Sequence, residues 1–417
     1  MNRLCLHAAK MAGAIVAFAV ATLAAAPVAA ANSVTDWHAI AQHAIVDVAQ
    51  ELPWIQTRSL AMVSGAAYDA VNAIDGTPYR PYLVAPAAQR SYSKDAAVST
   101  AAHDVLVGLL PAQRSSLDQQ YDEALAAIPN NPDKAGGVAV GSQAADAMLA
   151  ARENDGVDAS QTWIVGTQPG QWRPTPPFLV GVSAQIGFMR TFAIPDPDLF
   201  RSPRPNALTS AKYATDFNEV KSVGAASSTT RTSDQTEAAI FWAGLRNPWW
   251  SIFDQIALAR HLSVSDTARM LALLYISQHD SFIANFKAKY HWSSWRPVTA
   301  IPEAGADGNP ATAADPDWTP LLPTPPVPEH PSGHAMVSAT ITTILALFFH
   351  TDRIAFTGYS PDTNTTRRYA RFSDALAEVI NARVWGGIHF RTADNQGAVE
   401  GAKLAAYVWL TRLRPTR

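Results

Sequence analysis

What most limits the fold of this chain is the spacing of its apolar residues. They recur every three to four positions over segment after segment, and prolines stop each run. In "SVTDWHAIAQHAIVDVAQEL" the apolar positions are Trp37, Ile40, Ala44, Ile45 and Val48, one face of a helix that Ser33 or Thr35 would cap. "SLAMVSGAAYDAVNAIDG" is rich in small residues and ends at Gly76, a natural helix stop. "AAVSTAAHDVLVGLL", "SSLDQQYDEALAAI" and "KAGGVAVGSQAADAMLAAREND" continue the pattern. So do "TSDQTEAAIFWAG", a continuous run over 253–290, the run after Gly333, "RRYARFSDALAEVINARVW" and "TADNQGAVEGAKLAAYVWLTRL", the last with Thr392 or Asp394 as its cap. No stretch alternates with the period of two that a half-buried strand needs, and no repeat is visible. The expectation is an all-α fold of successive antiparallel helices in two packed halves, 32–235 and 236–417. A Pro- and Gly-rich segment from Gly156 to about Asn206 reads as a long ordered loop between them, and Pro297–Pro331 as a second.

The first 31 residues read as a secretory signal. Arg3 and Lys10 precede the apolar run "MAGAIVAFAVATLAAAPVAAA", with cleavage expected after Ala29, Ala30 or Ala31. The expected location is therefore periplasmic or extracellular. The one cysteine, Cys5, lies inside this segment, so the mature chain has no disulfide and no thiol nucleophile. No later run reaches about 18 apolar residues, so no transmembrane helix is expected. A net charge of −3 points to no nucleic-acid or anionic-membrane partner.

Three segments carry chemistry. In "PEHPSGHAMVSATITTILALFFH", Ser332 stands at the N-cap of a long apolar helix. The first N–H groups of a helix lack internal partners and sit at the positive end of its dipole, and Gly333 leaves its own N–H uncovered. That is an oxyanion site, with His334 one residue on to give or take a proton. Upstream, "KAKYHWSSWRP" sets Lys289 and Arg296 seven residues apart. If that stretch is near-helical, both cations share a face. A second Trp-Arg-Pro, at Trp172–Pro174, is a decoy: Gly166 occupies the position seven before Arg173. Downstream, "ARVWGGIHFRT" offers Arg383 as a guanidinium fork at a helix end, then two glycines that swing His389 out of the helical path. His389 is a candidate nitrogen nucleophile or metal-oxyanion ligand.

In order and spacing, Lys-x6-Arg-Pro, Pro-Ser-Gly-His and Arg-x5-His resemble the signature of the vanadium haloperoxidase and type 2 phosphatidic acid phosphatase (PAP2) superfamily. "AAYDAVNAID", "GQWRPTPP", "KYHWSSWRPVTAI" and "GGIHFRTAD" are similar to the bacterial branch related to vanadium chloroperoxidase. One departure is Ala382, where the superfamily usually has serine. The resemblance implies an all-α chloroperoxidase-like fold. It also implies that Lys289, Arg296, Ser332, the Gly333 N–H and Arg383 hold the oxygens of vanadate or phosphate. As a haloperoxidase, the chain would use vanadate as cofactor and hydrogen peroxide and halide as substrates. His389 would bind vanadium, His334 would manage protons and Lys289 would polarise peroxide. As a secreted acid phosphatase, it would need no cofactor: His389 would attack a phosphate ester and His334 would protonate the leaving group. Val327, seven residues before His334, falls where characterised haloperoxidases often carry Phe or His, and Trp292 and Trp295 are candidates for a halide pocket or for core aromatics.

Other classes fit less well. His330 and His334 have the spacing of metal ligands, but Pro331 and Gly333 intervene and no His-Glu-x-x-His occurs. The Gly-x-Ser-x-Gly elbow of serine hydrolases is absent. A non-catalytic oxyanion-binding helical protein would need the cations and N–H groups but neither His334 nor His389.

Overall fold

The computed structural model describes residues 32–244 and 248–416; the signal-like segment 1–31 lies outside the described residues. Thirteen α-helices occur among them. The first five are α1 (Ser33–Gln42), α2 (Pro53–Ile74), α3 (Lys94–Leu109), α4 (Arg114–Ala126) and α5 (Pro132–Arg152). Next come α6 (Ala211–Val223), α7 (Ser233–Phe241), α8 (Pro248–Ala259) and α9 (Val264–Trp292). The last four are α10 (Pro297–Ala300), α11 (Gly333–Phe349), α12 (Phe372–Trp385) and α13 (Arg391–Thr411). The expected all-α class holds, with one exception. Phe356–Ser360 (β1) pairs antiparallel with Thr365–Tyr369 (β2), Phe356 opposite Tyr369. Five-residue strands are too short to print a clear alternation, and Arg367 of β2 is anchored instead by Glu378, Glu237 and Asp234.

Two helices form the centre. On α2 every residue from Gln56 to Ile74 is buried, which its Ala, Ser and Gly content permits by letting neighbours approach on all sides. It packs on α3, α5 and α9, and α9 in turn packs on α11 and α13. The closest approach lies between α11 and α13. A Cβ at Gly401 would stand 2.0 Å from the Met336 carbonyl oxygen, and one at Gly397 would stand 2.6 Å from that of Ser332. Two glycines one turn apart thus seat α13 against the first turns of α11, where the oxyanion motif begins.

Nearly all of α9 from Thr267 to Lys289 is buried, and the polar residues there have specific tasks. Asp280 is fully buried and accepts the N–H groups of Phe192, Ala193 and Ile194 at 2.6, 2.7 and 2.9 Å. These bonds tie the long 156–206 segment to the centre, and that segment is an irregular ordered loop as expected. Asp69 on α2 does the same for Tyr82, Leu83 and Val84.

Several local expectations change. The cap of α1 is Asn32, which accepts from the Val34 N–H at 3.1 Å, while Thr35 Oγ donates back to the Asn32 carbonyl. The run over 253–290 is two helices, because His261 adopts φ +50 and Ser263 caps a new start. Helix α6, capped by Ser210, falls where no helix was expected. Helix α13 is preceded by Phe390, not capped by Thr392 or Asp394.

Candidate active site

Lys289 lies in the last turn of α9, and the helix stops three residues later. Ser293 takes a left-handed φ of +42 and turns the chain, so Arg296 stands outside the helix, at the N-cap of α10. The near-helical relation expected for these two cations is therefore corrected: a turn brings them together, not two turns of one helix. The decoy segment braces that turn. The Trp172 N–H donates to the Ser293 carbonyl at 2.7 Å, while Arg173 pairs with Glu303 at the surface.

Arg296 is buried and fully committed in direction. Its Nε donates to the Val327 carbonyl at 3.0 Å, and its Nη1 to the Ile388 carbonyl at 2.7 Å and to His389 Nε2 at 3.0 Å. Lys289 Nζ donates to the carbonyls of Pro328 and Glu329 at 2.8 and 2.9 Å. The 327–329 backbone is thus a strap that aims both cations. Val327 serves through this carbonyl; its buried side chain packs with Ile186, Met189, Ile283 and Phe286. Arg383 lies within α12, two residues before its end. It is also buried and spends one Nη1 bond, 3.3 Å, on the Trp242 carbonyl, leaving a buried Nε without a hydrogen bond.

Ser332 is the N-cap of α11, but its side chain does not cap. The buried hydroxyl neighbours the buried Asp394 carboxyl. Gly333 opens α11 with its N–H at the free helix end, and His334 follows, exposed. Gly387, at φ +75, makes the turn that delivers His389; a Cβ there would stand 2.4 Å from the Gly224 carbonyl oxygen. The structure therefore brings Lys289, Arg296, Arg383, His334 and His389 together, acting on one another electrostatically, with Ser332 and Gly333 next to His334 at the start of α11.

The electrostatics follow from burial and like charge. Burial, with help from the neighbouring cations Arg296 and Arg383, holds Lys289 well below its ordinary pKa. Burial lowers Arg296 and Arg383 to about 10 each, so both remain cations at neutral pH. His389 is held well below the usual imidazole range by burial and then by Arg296, Lys289 and Arg383. His334 is held down in the same direction. Its residue is exposed to solvent, and Arg383, Lys289 and Arg296 disfavour a further positive charge on it. Both imidazoles are thus neutral near pH 7.

Sequence reasoning missed Glu329. Its Oε1 is 3.0 Å from His389 Nδ1 and accepts the Phe390 N–H at 3.0 Å. Burial pushes its carboxyl up, against the pull of Arg296 and Lys289. A buried carboxylate one residue before His-Pro-Ser-Gly-His was visible as a letter, but its partner lies 60 positions away. Other candidates have other tasks. His330 is buried with Nε2 2.9 Å from the Pro203 carbonyl, far from ligand duty. No cluster of three or more His, Cys, Asp or Glu is placed to hold a metal cation among the described residues. Trp295 is core, Trp292 donates to the Ser202 carbonyl, and both line a cavity of about 370 Å³ beside the cluster. Glu329 borders that cavity, whereas Lys289, Arg296, Arg383, His334 and His389 do not.

The family model of the VCPO second helical-bundle domain matches residues 269–415, which contain every member of the cluster. No curated protein sequence matches the chain. Among solved structures, the chain is similar to a bacterial vanadium-dependent iodoperoxidase, with a TM-score of 0.77 at 23% identity over 92% of this chain and 97% of that one. It is also similar to a bacterial vanadium-dependent chloroperoxidase. The holo form gives a TM-score of 0.68 at 19% identity over 86% and 92% of the two chains. The apo form gives 0.66 at 19% over 85% and 92%. Residues 269–415 thus match the VCPO second helical-bundle domain, and the chain as a whole shares the fold of these vanadium-dependent peroxidases.

Proposed function

We propose that this chain is a vanadium-dependent haloperoxidase that oxidises halide with hydrogen peroxide, consuming one proton and releasing hypohalous acid and water. The observation that carries the reading is the buried His389 Nε2, held 3.0 Å from the Arg296 guanidinium with Lys289 and Arg383 close by. The residues fit vanadate. The donor set is cationic and converges, and Arg383 Nε and Ser332 Oγ are buried polar groups still lacking hydrogen-bond partners. Lys289, Arg296, Arg383, Ser332 and the Gly333 N–H would hold the oxygens, and His389 Nε2 the metal. When bound, vanadate supplies a Lewis-acid centre at which peroxide is activated toward halide. The chain's own residues do the rest. The cations balance the charge of the oxyanion in a buried site, where each contact is worth more than in water. Neutral His334, the exposed member, accepts a proton from incoming peroxide and returns one to the departing oxygen.

The same geometry favours a second reading, a phosphatase. Neutral His389 Nε2 is a nucleophile beside an anion site, so it would attack phosphorus and form a phosphohistidine as the ester P–O bond breaks; His334, once protonated in acid, would give the departing alkoxide its proton, and water would then cleave the phosphohistidine to phosphate. In both readings the site-bearing half is 236–417, the partner half is 32–235, and residues 1–31 direct export. No helix among the described residues is long and apolar enough to cross a membrane. Steady-state assays of the mature chain test the choice. Bromide, iodide or chloride oxidation that requires added orthovanadate supports the haloperoxidase. Hydrolysis of p-nitrophenyl phosphate by vanadate-free protein, blocked by vanadate, supports the phosphatase. Oxyanion binding without either activity, unchanged by His334→Ala and His389→Ala, would leave only a binding protein.

A further inference from the structure

We infer that Glu329 is a positioning residue that fixes the tautomer and aim of His389, so that Nδ1 carries the proton and Nε2 presents its lone pair to the bound oxyanion. The inference rests on the reading of His389 as the atom that bonds to the anion centre. Glu329 is built for this. Its N–H donates to the Ser294 carbonyl at 3.0 Å, and its own carbonyl accepts from Lys289 Nζ at 2.9 Å, so its backbone is clamped from both sides. Its Oε1 also accepts the Phe390 N–H at 3.0 Å, and that N–H belongs to the residue after His389. One carboxylate oxygen therefore holds both the imidazole and the backbone that carries it.

The need for such a group appears only when an anion binds. In the free site, Arg296 Nη1 donates to His389 Nε2 at 3.0 Å and by itself favours the Nδ1–H tautomer. An anion centre bonded to Nε2 takes the place that guanidinium contact occupies. The Glu329 contact would then be the side-chain hydrogen bond that holds the ring and its Nδ1 proton. An outer-sphere carboxylate of this kind raises the donor strength of the ligating nitrogen, and its removal typically costs about 10- to 100-fold in metal affinity.

The test compares Glu329→Leu, which keeps the volume and deletes the acceptor, with Glu329→Gln, which keeps a carbonyl oxygen for Nδ1–H and the Phe390 N–H. Binding of orthovanadate and of inorganic phosphate to the mature chain is measured by calorimetry. Selective ¹⁵N-histidine labelling reads the His389 tautomer by long-range ¹H–¹⁵N correlation in anion-free protein. The expected result is a vanadate affinity lowered about 10- to 100-fold in Glu329→Leu and within about 3-fold of wild type in Glu329→Gln. Phosphate makes no bond to Nε2 at rest, so its affinity stays level or rises as a negative charge leaves the site. Wild type and Glu329→Gln show a protonated Nδ1. Equal losses for both anions in Glu329→Leu would indicate general damage and overturn the inference. So would wild-type vanadate affinity in that variant, or a protonated Nε2 in the wild type. If His389→Ala binds vanadate as tightly as wild type, the reading of His389 itself fails instead.

Discussion

Replacing Arg296 by lysine preserves the charge and removes the fork, so it separates two things the guanidinium does. Arg296 sends three hydrogen bonds in three directions, to Val327 O, Ile388 O and His389 Nε2, from a side chain only 1% exposed. A lysine ammonium, one nitrogen on a shorter reach, can serve the Ile388 carbonyl or the imidazole but not the Val327 carbonyl at the same time. At least one buried acceptor, and more often two, then lacks a charged donor. Each such bond is worth about 1.5–3 kcal/mol. Allowing for partial recovery by the ammonium, the expected stability loss is about 2–4 kcal/mol. Long-range attraction for an anion is unchanged, but the aimed contact is gone, so phosphate or vanadate affinity should fall about 10- to 100-fold, or about 1.4–2.7 kcal/mol. The chain contains its own control. Arg173 occupies the other Trp-Arg-Pro, where it makes a surface pair with Glu303, and Arg173→Lys should cost about 0–1 kcal/mol and leave anion affinity alone. Urea denaturation and isothermal calorimetry on the two variants give both quantities. Equal stability losses for Arg296→Lys and Arg173→Lys, or an unchanged anion affinity in the former, would refute the assignment of a directional role to the buried guanidinium.

Gly401→Ala should destabilise the chain by about 1–3 kcal/mol and weaken anion binding along with it, because its Cβ would meet the Met336 carbonyl oxygen at 2.0 Å and push α13 off the start of α11; thermal denaturation and phosphate titration read the two effects. Asp280→Ala orphans the N–H groups of Phe192, Ala193 and Ile194, at roughly 1–3 kcal/mol per buried donor, so urea unfolding should show a loss of about 3–9 kcal/mol and faster proteolysis within 156–206. His279, fully buried, is held at about 3 by burial and by Arg152 and Arg58. Its folded pKa lies below the unfolded value of 6.5, so the unfolded chain takes up the proton first and stability is lost as pH falls through the window from 6.5 to about 3. His279→Gln, which cannot titrate, should flatten the decline in stability between pH 6.5 and 4 by about 3 kcal/mol; an unchanged slope in pH-dependent denaturation would contradict this.

The helical class was readable because amphipathic spacing is a local property, and a 29-residue helix such as α9 prints it many times over. The hairpin over 356–369 escaped because each strand is five residues and is held by distant charges on α7 and α12. Helix α6 escaped because it carries only a modest apolar face, and its Tyr213, Phe217 and Val220 gain their burial from Trp295, Trp318 and Phe390 far along the chain. At the candidate site, the oxyanion half was legible: Ser332, Gly333 and His334 are consecutive, and a helix start is an anion site wherever it occurs. The relation of Lys289 to Arg296 was read correctly as residues and wrongly as geometry, since nothing in "HWSSW" announces that Ser293 turns left-handed.

The sequence alone determined the chemistry on offer: three cations, two imidazoles and a bare glycine at a helix mouth, in an order that resembles one superfamily. It also determined that helices would carry them, because periodicity acts over a few residues. Only the tertiary structure decided which atoms face which. The carbonyl strap that aims Lys289 and Arg296, the Gly397 and Gly401 crossing that seats α11, and the Glu329 oxygen beneath His389 each join residues 31 to 65 positions apart. Such contacts arise when burial forces every polar group to find a partner, and that choice is made by the whole packed core, not by any one segment.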